Sequence, residues 1–350
     1  MDTSIQIQEH VKLAPFTTLR IGGPARYFVR AETERDVIEA FQFASANNLK
    51  TFVLGGGSNI LVADAGFDGL VVQMAIRGIS DIPPDFTSRV IVIKASAGDN
   101  WDAFVQHCVE HDLAGIECLS GIPGFVGGTP VQNVGAYGQE VSNPIGLVQC
   151  FDRLSGEIVN LANQDCGFAY RTSIFNSTAR DRYVVLAVFF YLQPGGEPKI
   201  VYKDLVETFR GMRPTLKEVR EAVLSIRMAK SMVIDASDPN SRSAGSFFKN
   251  PIISNEKYIQ ILESFGGHVP KFAADGDNVK IPAAWLIENS GFHKGYRLGN
   301  AGISTKHTLA IVNCGGATAK EVIDLKGSIQ NAVESKFGIL LQSEPIFVGF

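Results

Sequence analysis

The chain lacks what would mark a nucleic-acid binder, a membrane protein or a disulfide scaffold. Its 350 residues carry 32 Lys and Arg against 36 Asp and Glu, a formal net charge of −4. That balance gives no broad basic face for a phosphate backbone, only room for a local basic pocket. The most apolar run, Val184 to Leu192, is far shorter than the ~20 residues a membrane-spanning helix needs. Five cysteines (Cys108, Cys118, Cys150, Cys166 and Cys314) are odd in number, scattered and without any Cys-x-x-Cys. This argues against a zinc site or a disulfide framework and for reduced thiols. The opening MDTSIQIQEH carries acids where a secretory leader would be basic and then apolar. A soluble, cytoplasmic protein without metal, membrane or nucleic-acid partner is expected. No G-x-G-x-x-G, no G-x-x-x-x-G-K-[ST] and no G-x-S-x-G occurs anywhere. The dinucleotide Rossmann, P-loop and serine-hydrolase readings therefore have no support.

What the chain has in quantity is glycine, 35 residues of it. The densest stretch, GIECLSGIPGFVGGTPVQNVGAYGQE from Gly115 to Glu140, intersperses Pro123 and Pro130 with Gly121, Gly124, Gly127, Gly128, Gly135 and Gly138. Neither a helix nor a central strand tolerates that pattern, so a long ordered loop system is predicted. Fixing such a loop costs entropy, and long ordered loops are usually functional. Successive amides without side chains can approach a ligand closely and form concave anion sites.

Taken in order, residues 16–28 (FTTLRIGGPARYF) place Arg20, Gly22, Gly23 and Pro24 in a turn between extended segments. Thr33 and Asp36 read as a capping box for a helix through Val37, Ile38, Phe41 and Ala44. A strand at Thr51 to Leu54 runs into Gly55-Gly56-Gly57-Ser58-Asn59, which reads as a backbone-amide cradle for a pyrophosphate or as a plain tight turn. After a strand at Val90 to Ser96, Trp101, Phe104, Val105, Cys108 and Val109 fall on one helical face. His107 and His111 lie one turn apart there, but HCVEH lacks the order of a metalloprotease, and surface histidines are the expectation. QPGGEP at 193–198 looks like a linker, and Thr215 with Glu218 opens a helix to about Lys230. The best domain boundary is DASDPNSR at 235–242. A last helix starts at Thr318-x-x-Glu321 and should stop at Gly338.

Arg171, Ser246, Lys249, Asn250 and Glu344 are polar residues inside otherwise apolar or glycine-rich segments, AYRTSIF, AGSFFKN and SEPIF. Buried charge is costly unless paired or functional, so these are either structural ion pairs or chemistry.

The order of these blocks resembles one family throughout. LRIGGPARYF, VLGGGSNILV, SGIPGFVGGTPVQNVGAYG, AYRTSIF, AGSFFKNP, AAWLIE and SEPIF occur with the order and spacing of the UDP-N-acetylenolpyruvoylglucosamine reductases (the MurB family), covering about residues 15 to 348. The resemblance implies an α+β fold: a two-lobed FAD-binding domain of the vanillyl-alcohol-oxidase type at 15–230, with lobes at about 15–77 and 78–230. A substrate-binding domain would follow at 231–350, its terminal strand returning to the FAD domain. It implies NADPH-dependent reduction of UDP-N-acetylglucosamine enolpyruvate to UDP-N-acetylmuramate, with the UDP-sugar and NADPH as small-molecule partners and no obligatory protein partner. The family's catalytic arginine, serine and glutamate match Arg171, Ser246 and Glu344. Its FAD positions match Gly55, Gly56, Gly57, Ser58, Asn59, Ser120, Ile122, Gly127, Gly128, Thr129 and Gly135. With no histidine in either glycine segment, noncovalent FAD is expected. Tyr202, Lys230, Lys249, Asn250 and Glu288 match substrate or NADPH contacts. The Tyr202 segment and a 266–280 insertion resemble the longer class of the family, in which a loop closes over the UDP-sugar. The tyrosine of that loop has no clear counterpart, and Phe272 stands in its place. A flavin oxidase of another alcohol, or a flavin-free UDP-sugar binder, are the alternatives. The first has no use for the Arg171, Ser246 and Glu344 set, and the second none for two glycine cradles.

Overall fold

Two hydrophobic cores organise the chain in this computed structural model, which describes residues 5–82 and 90–350. They correspond to two units. The first holds the residues up to Val11, Ala25–Gly57 and Phe67–Val233; the second holds Lys12–Pro24, Ser58–Gly66 and Ile234–Phe350. The architecture is α+β.

In the first unit a small sheet runs in the order Gln8–Lys12, Pro24–Ala31, Phe67–Met74, Lys50–Leu54. Phe67–Met74 lies parallel to both Pro24–Ala31 and Lys50–Leu54, and its LVV core is fully buried, as a strand covered on both faces requires. The crossover is α1 (Glu34–Ala46), which buries Val37, Ala40, Phe41 and Ala44. Its Thr33–Asp36 capping box is present as expected and contributes about 1 kcal/mol. The second sheet is antiparallel, in the order Glu157–Ala162, Ile145–Asp152, Tyr183–Pro194, Ile91–Ser96, Ile79–Ile82. Its spine is the 12-residue strand Tyr183–Pro194, the apolar run of the sequence. Against it packs α2 (Trp101–Glu110), where Trp101, Phe104 and Phe190 meet with ring centroids 4.8 to 5.9 Å apart. Fully burying such side chains contributes about 1.5–3 kcal/mol each. Two further helices, α3 (Lys203–Thr208) and α4 (Leu216–Ala229), complete the unit. The QPGGEP linker is only partly a turn: Gln193 and Pro194 extend the spine strand and pair with Ala114 and Leu113.

The second unit contains α5 (Asn255–Phe265), α6 (Ala283–Glu288) and α7 (Ala319–Phe337) with two three-stranded sheets. Val322, Leu325, Ile329, Val333 and Phe337 form the buried stripe of α7, and Gly338 ends the helix at φ +63°. The C-terminal strand Ile346–Val348 pairs in parallel with Ile60–Val62. Residues 15–24 and 58–66 go with the second unit, because Leu19, Ile21 and Leu61 are buried in its core and Ile60–Val62 is the partner its last strand needs. The partner of the terminal strand, Ile60–Val62, lies inside the expected 15–230 span. No helix among the described residues is long and apolar enough to cross a membrane.

Burial makes four thiols inert. It pushes Cys118 and Cys166 up to about 12, and Cys108 and Cys150 higher still. Cys314 alone is partly exposed. Since the thiolate is the nucleophile, iodoacetamide at pH 8 is expected to label one cysteine of the native protein, Cys314, and all five after denaturation. Peptide mass mapping checks this; rapid native labelling of Cys150 or Cys166 would contradict the burial.

Candidate active site

The glycines of the first unit fall into two kinds. At Gly56 an added Cβ would lie 2.7 Å from the Gly124 Cα, so the GGG segment and the long glycine loop touch backbone to backbone. At Gly127 a Cβ would come within 2.5 Å of the Ala97 Cβ, and Gly57 needs φ +62°. These are glycines of packing. Gly55 and Gly128 have nothing within 4 Å of an added Cβ and do not need a positive φ. Both leave bare backbone with open space beside it, and Gly128 is exposed. The predicted loop is ordered by short 3₁₀ turns at Glu117–Leu119 and Val126–Gly128 and a two-residue ladder, Gly135–Ala136 with Gln139–Glu140. The Ser120 and Thr129 hydroxyls are spent inside it: Ser120 donates to Glu117 O (2.6 Å) and Thr129 to Val126 O (2.8 Å). Each hydroxyl commits its proton within the loop and keeps its oxygen as an acceptor, and Ile122 between them is half-buried.

Arg171 is tied to that loop. Its Nη2 donates to Gly135 O at 2.8 Å, and its guanidinium lies 5.4 Å from the Tyr170 ring centroid. It sits at φ +54°, in a tight turn closed by reciprocal amide bonds between Ala169 and Thr172. A non-glycine residue in the left-handed region is uncommon and such strain gathers at functional sites. The turn is held from two sides. Asn176 Nδ2 donates to Arg171 O (3.2 Å), and Asn133 Nδ2 donates to Ala169 O (3.1 Å) and Glu140 (3.0 Å). Asn133, 1% exposed, also accepts from the Ser142 amide. Sequence reading missed Asn133, an unremarkable member of the QNVG run.

The ends of α3 and α4 bring two expected substrate residues together. Tyr202 caps α3 and packs edge-on to Tyr137 of the glycine loop at 5.2 Å; Lys230 caps α4 and reaches Asp204 at 3.5 Å. Tyr137 in turn bonds Arg227, a buried guanidinium of α4 that also donates to Met232 O at 2.7 Å. Burial holds the Tyr137 phenol above its ordinary pKa against the pull of Arg227, and lowers that of Arg227.

In the second unit the AGSFFKN and SEPIF segments lie antiparallel. Phe248 bridges Ser343, the Lys249 amide donates to Gln342 O (2.9 Å), and the Glu344 amide donates to Phe247 O (2.9 Å). Buried Phe247 and Phe248 anchor this pairing in the core, setting half-buried Ser246 one register position from Glu344. Asn59 does not act as a loop donor only: its Nδ2 reaches Glu344 O (3.3 Å) and its carbonyl accepts from Ile346. Ser58 is half-buried beside it in the sequence. Asn250 Oδ1 accepts from Ala283 N (2.9 Å), capping α6, and exposed Glu288 at the other end of α6 accepts from the Thr308 hydroxyl. Phe272 stands exposed on a short strand, Phe272–Ala273, paired with Asn278–Lys280. Among the described residues no group of three or more His, Cys, Asp or Glu is arranged to hold a metal. His111 instead bonds the His107 carbonyl at 2.8 Å.

A family profile described as UDP-N-acetylenolpyruvoylglucosamine reductase, C-terminal domain, matches residues 238–348, and one described as FAD binding domain matches residues 25–161. The chain is 45% identical to the UDP-N-acetylenolpyruvoylglucosamine reductase of Thermobifida fusca, covering 97% of each, and 42% identical to that of Streptomyces coelicolor, covering 99% of this chain and 91% of the relative. Among solved structures, the reductase of this name from Thermus caldophilus superposes with a TM-score of 0.65 at 26% identity, covering 98% of this chain and 99% of that one.

Proposed function

Because the chain belongs to the UDP-N-acetylenolpyruvoylglucosamine reductase family, we propose that it reduces UDP-N-acetylglucosamine enolpyruvate to UDP-N-acetylmuramate with NADPH and noncovalent FAD, an early cytoplasmic step of peptidoglycan synthesis. The residues fit FAD: Gly55 and Gly128 leave bare backbone with room beside it, and the two glycine segments meet at Gly56 and Gly124. Bound there, FAD would supply the hydride transfer that links NADPH to the enolpyruvyl double bond. The remaining work falls to this chain.

Hydride arriving at C3 pushes negative charge through C2 onto the substrate carboxylate. Arg171 meets that charge with a planar, permanently protonated fork whose in-plane edge of paired N–H donors matches a carboxylate. Ser246 supplies the proton to C2 as general acid. A serine hydroxyl is a weak acid, and the cation of Lys249, three residues on in the same segment, lowers the cost of its ionisation. Glu344 assists as a protonated or cation-paired carboxyl, since a bare carboxylate would repel the growing charge. Tyr202, Lys230, Asn250 and Glu288 bind the UDP-sugar or NADPH; in this role Asn250 uses its Nδ2, its Oδ1 being committed to α6. Phe272 takes the loop position where the longer class carries tyrosine, offering a ring face without a hydroxyl.

The observation that carries this reading is Arg171, held in a left-handed turn and bonded to the carbonyl of Gly135 in the cofactor loop itself. An anaerobic titration tests it. Purified protein should be yellow, bleach near 450 nm with NADPH, and recover its colour on addition of UDP-N-acetylglucosamine enolpyruvate as UDP-N-acetylmuramate forms. Bleaching without recovery would leave a flavoprotein of another substrate.

A further inference from the structure

The first turn of α2 holds one edge of the glycine loop at three points. Trp101 Nε1 donates to Leu119 O (3.0 Å), the Trp101 amide donates to Gly124 O (3.1 Å), and the Gly121 amide donates to Asp102 Oδ1 (2.5 Å). The last bond uses a side chain that is also held by hydrogen bonds from another helix. Arg220 of α4 grips Asp102 as a fork, Nη1 to Oδ1 at 2.6 Å and Nη2 to Oδ2 at 3.0 Å. Arg220 is 9% exposed, although its partner is 118 residues away in sequence. The same helix closes over the clamped residue. A Cβ on Gly121, which sits at φ +71°, would meet Leu224 at 2.8 Å and Arg227 at 3.4 Å.

We propose that the Asp102–Arg220 pair is a positioning device for the FAD cradle, fixing the Gly121 amide and with it the backbone of residues 120–124. The Asp102 carboxylate is shared: Oδ1 serves the loop amide and the guanidinium at once, so a displacement of α4 is felt at Gly121. Charge-assisted, bidentate geometry suits this task, because it fixes direction as well as distance. Burial would raise the Asp102 pKa, but the Arg220 fork and the Gly121 amide outweigh it and hold the carboxyl below its ordinary value, keeping it an acceptor. Backbone that is fixed before the ligand arrives binds it more tightly, since less ordering remains to be done. This inference rests on the reading that the glycine segments cradle FAD.

Two variants of the full-length protein separate positioning from plain stability. Asp102→Asn keeps an acceptor for the Gly121 amide but leaves Arg220 buried without its counter-charge. Asp102→Leu with Arg220→Met removes both charges at similar volume, which is often neutral for stability, yet leaves the Gly121 amide without its acceptor. Each protein is stripped of FAD, its apo-form melting midpoint is measured, and FAD is titrated by flavin fluorescence. The expected orders are opposite. Stability should fall most in Asp102→Asn, whereas FAD affinity should fall most in the double variant, by at least tenfold. FAD affinity that follows stability would overturn the proposal. Should the double variant melt low as well, hydrogen exchange on folded Asp102→Asn decides. Faster exchange confined to residues 119–125 supports positioning, and exchange raised along all of α2 and α4 overturns it. Gly128→Leu is the companion control, its Cβ meeting no protein atom within 4 Å. If it loses FAD while the double variant binds normally, the clamp is wrong and the cradle stands; if it binds FAD normally, the cradle itself is wrong and the proposal falls with it.

Discussion

Replacing Ser246 by alanine is expected to separate the two half-reactions. Bleaching of the flavin by NADPH should proceed at nearly the wild-type rate, while reoxidation by UDP-N-acetylglucosamine enolpyruvate slows on the order of 10²-fold or more. The first half-reaction moves hydride between two cofactors and has no use for a proton at substrate C2. The second cannot finish without one. Ser246 is half-buried, and its neighbours Phe247 and Phe248 hold the segment in the core through backbone and rings rather than through the hydroxyl. Removing one oxygen there opens no apolar cavity, so the melting temperature should barely move. Stopped-flow absorbance near 450 nm reads both steps on the same sample. Equal slowing of both would make Ser246 a structural residue. In deuterium oxide the wild-type reoxidation should carry a solvent isotope effect that the alanine variant alters, since water then has to deliver the proton.

Much of this was legible in the sequence where local chemistry decides the outcome. Thr33, Thr215 and Thr318 each stand three residues before an acid, and all three capping boxes form. The stripe of α2 is periodic and buried as read. What local chemistry does not reach is non-local pairing. Ile60–Val62 reads as one more strand after a glycine turn, and only tertiary pairing with Ile346–Val348 places it in the second unit. Ser120 and Thr129 match FAD positions by family order alone, and sequence does not show that each hydroxyl donates to a carbonyl three residues back in its own 3₁₀ turn. One signal was present and passed over. The buried face of α4 is Leu216, Val219, Arg220, Val223 and Arg227, so two arginines interrupt an apolar stripe at helical spacing. Charges on a core-facing stripe must find buried partners. Here the partners are Asp102 and Tyr137, both belonging to the framework of the glycine loop.

Arg171→Lys should not rescue the chemistry, and the backbone of Arg171 makes this a clean comparison. The residue occupies φ +54°; arginine and lysine carry the same Cβ and pay the same steric cost there, so the turn from Ala169 to Thr172 should persist. What changes is the head group. A guanidinium can keep one edge on Gly135 O and present remaining donors to a substrate carboxylate in a single plane. An ammonium is a point charge on a flexible stem and cannot hold both in fixed geometry. Donors fixed where charge develops are worth on the order of 10²- to 10³-fold in rate when one is removed. Reoxidation of the flavin by substrate should fall by that order in Arg171→Lys, with FAD content and bleaching by NADPH close to wild type. A further difference is expected between binding and rate. Lysine retains the positive charge that attracts the carboxylate, so the concentration of substrate giving half-maximal reoxidation should rise much less than the limiting rate falls. If affinity collapsed while the limiting rate held, Arg171 would be a ground-state anchor, and stabilisation of the charge built up by hydride transfer would have to be assigned elsewhere.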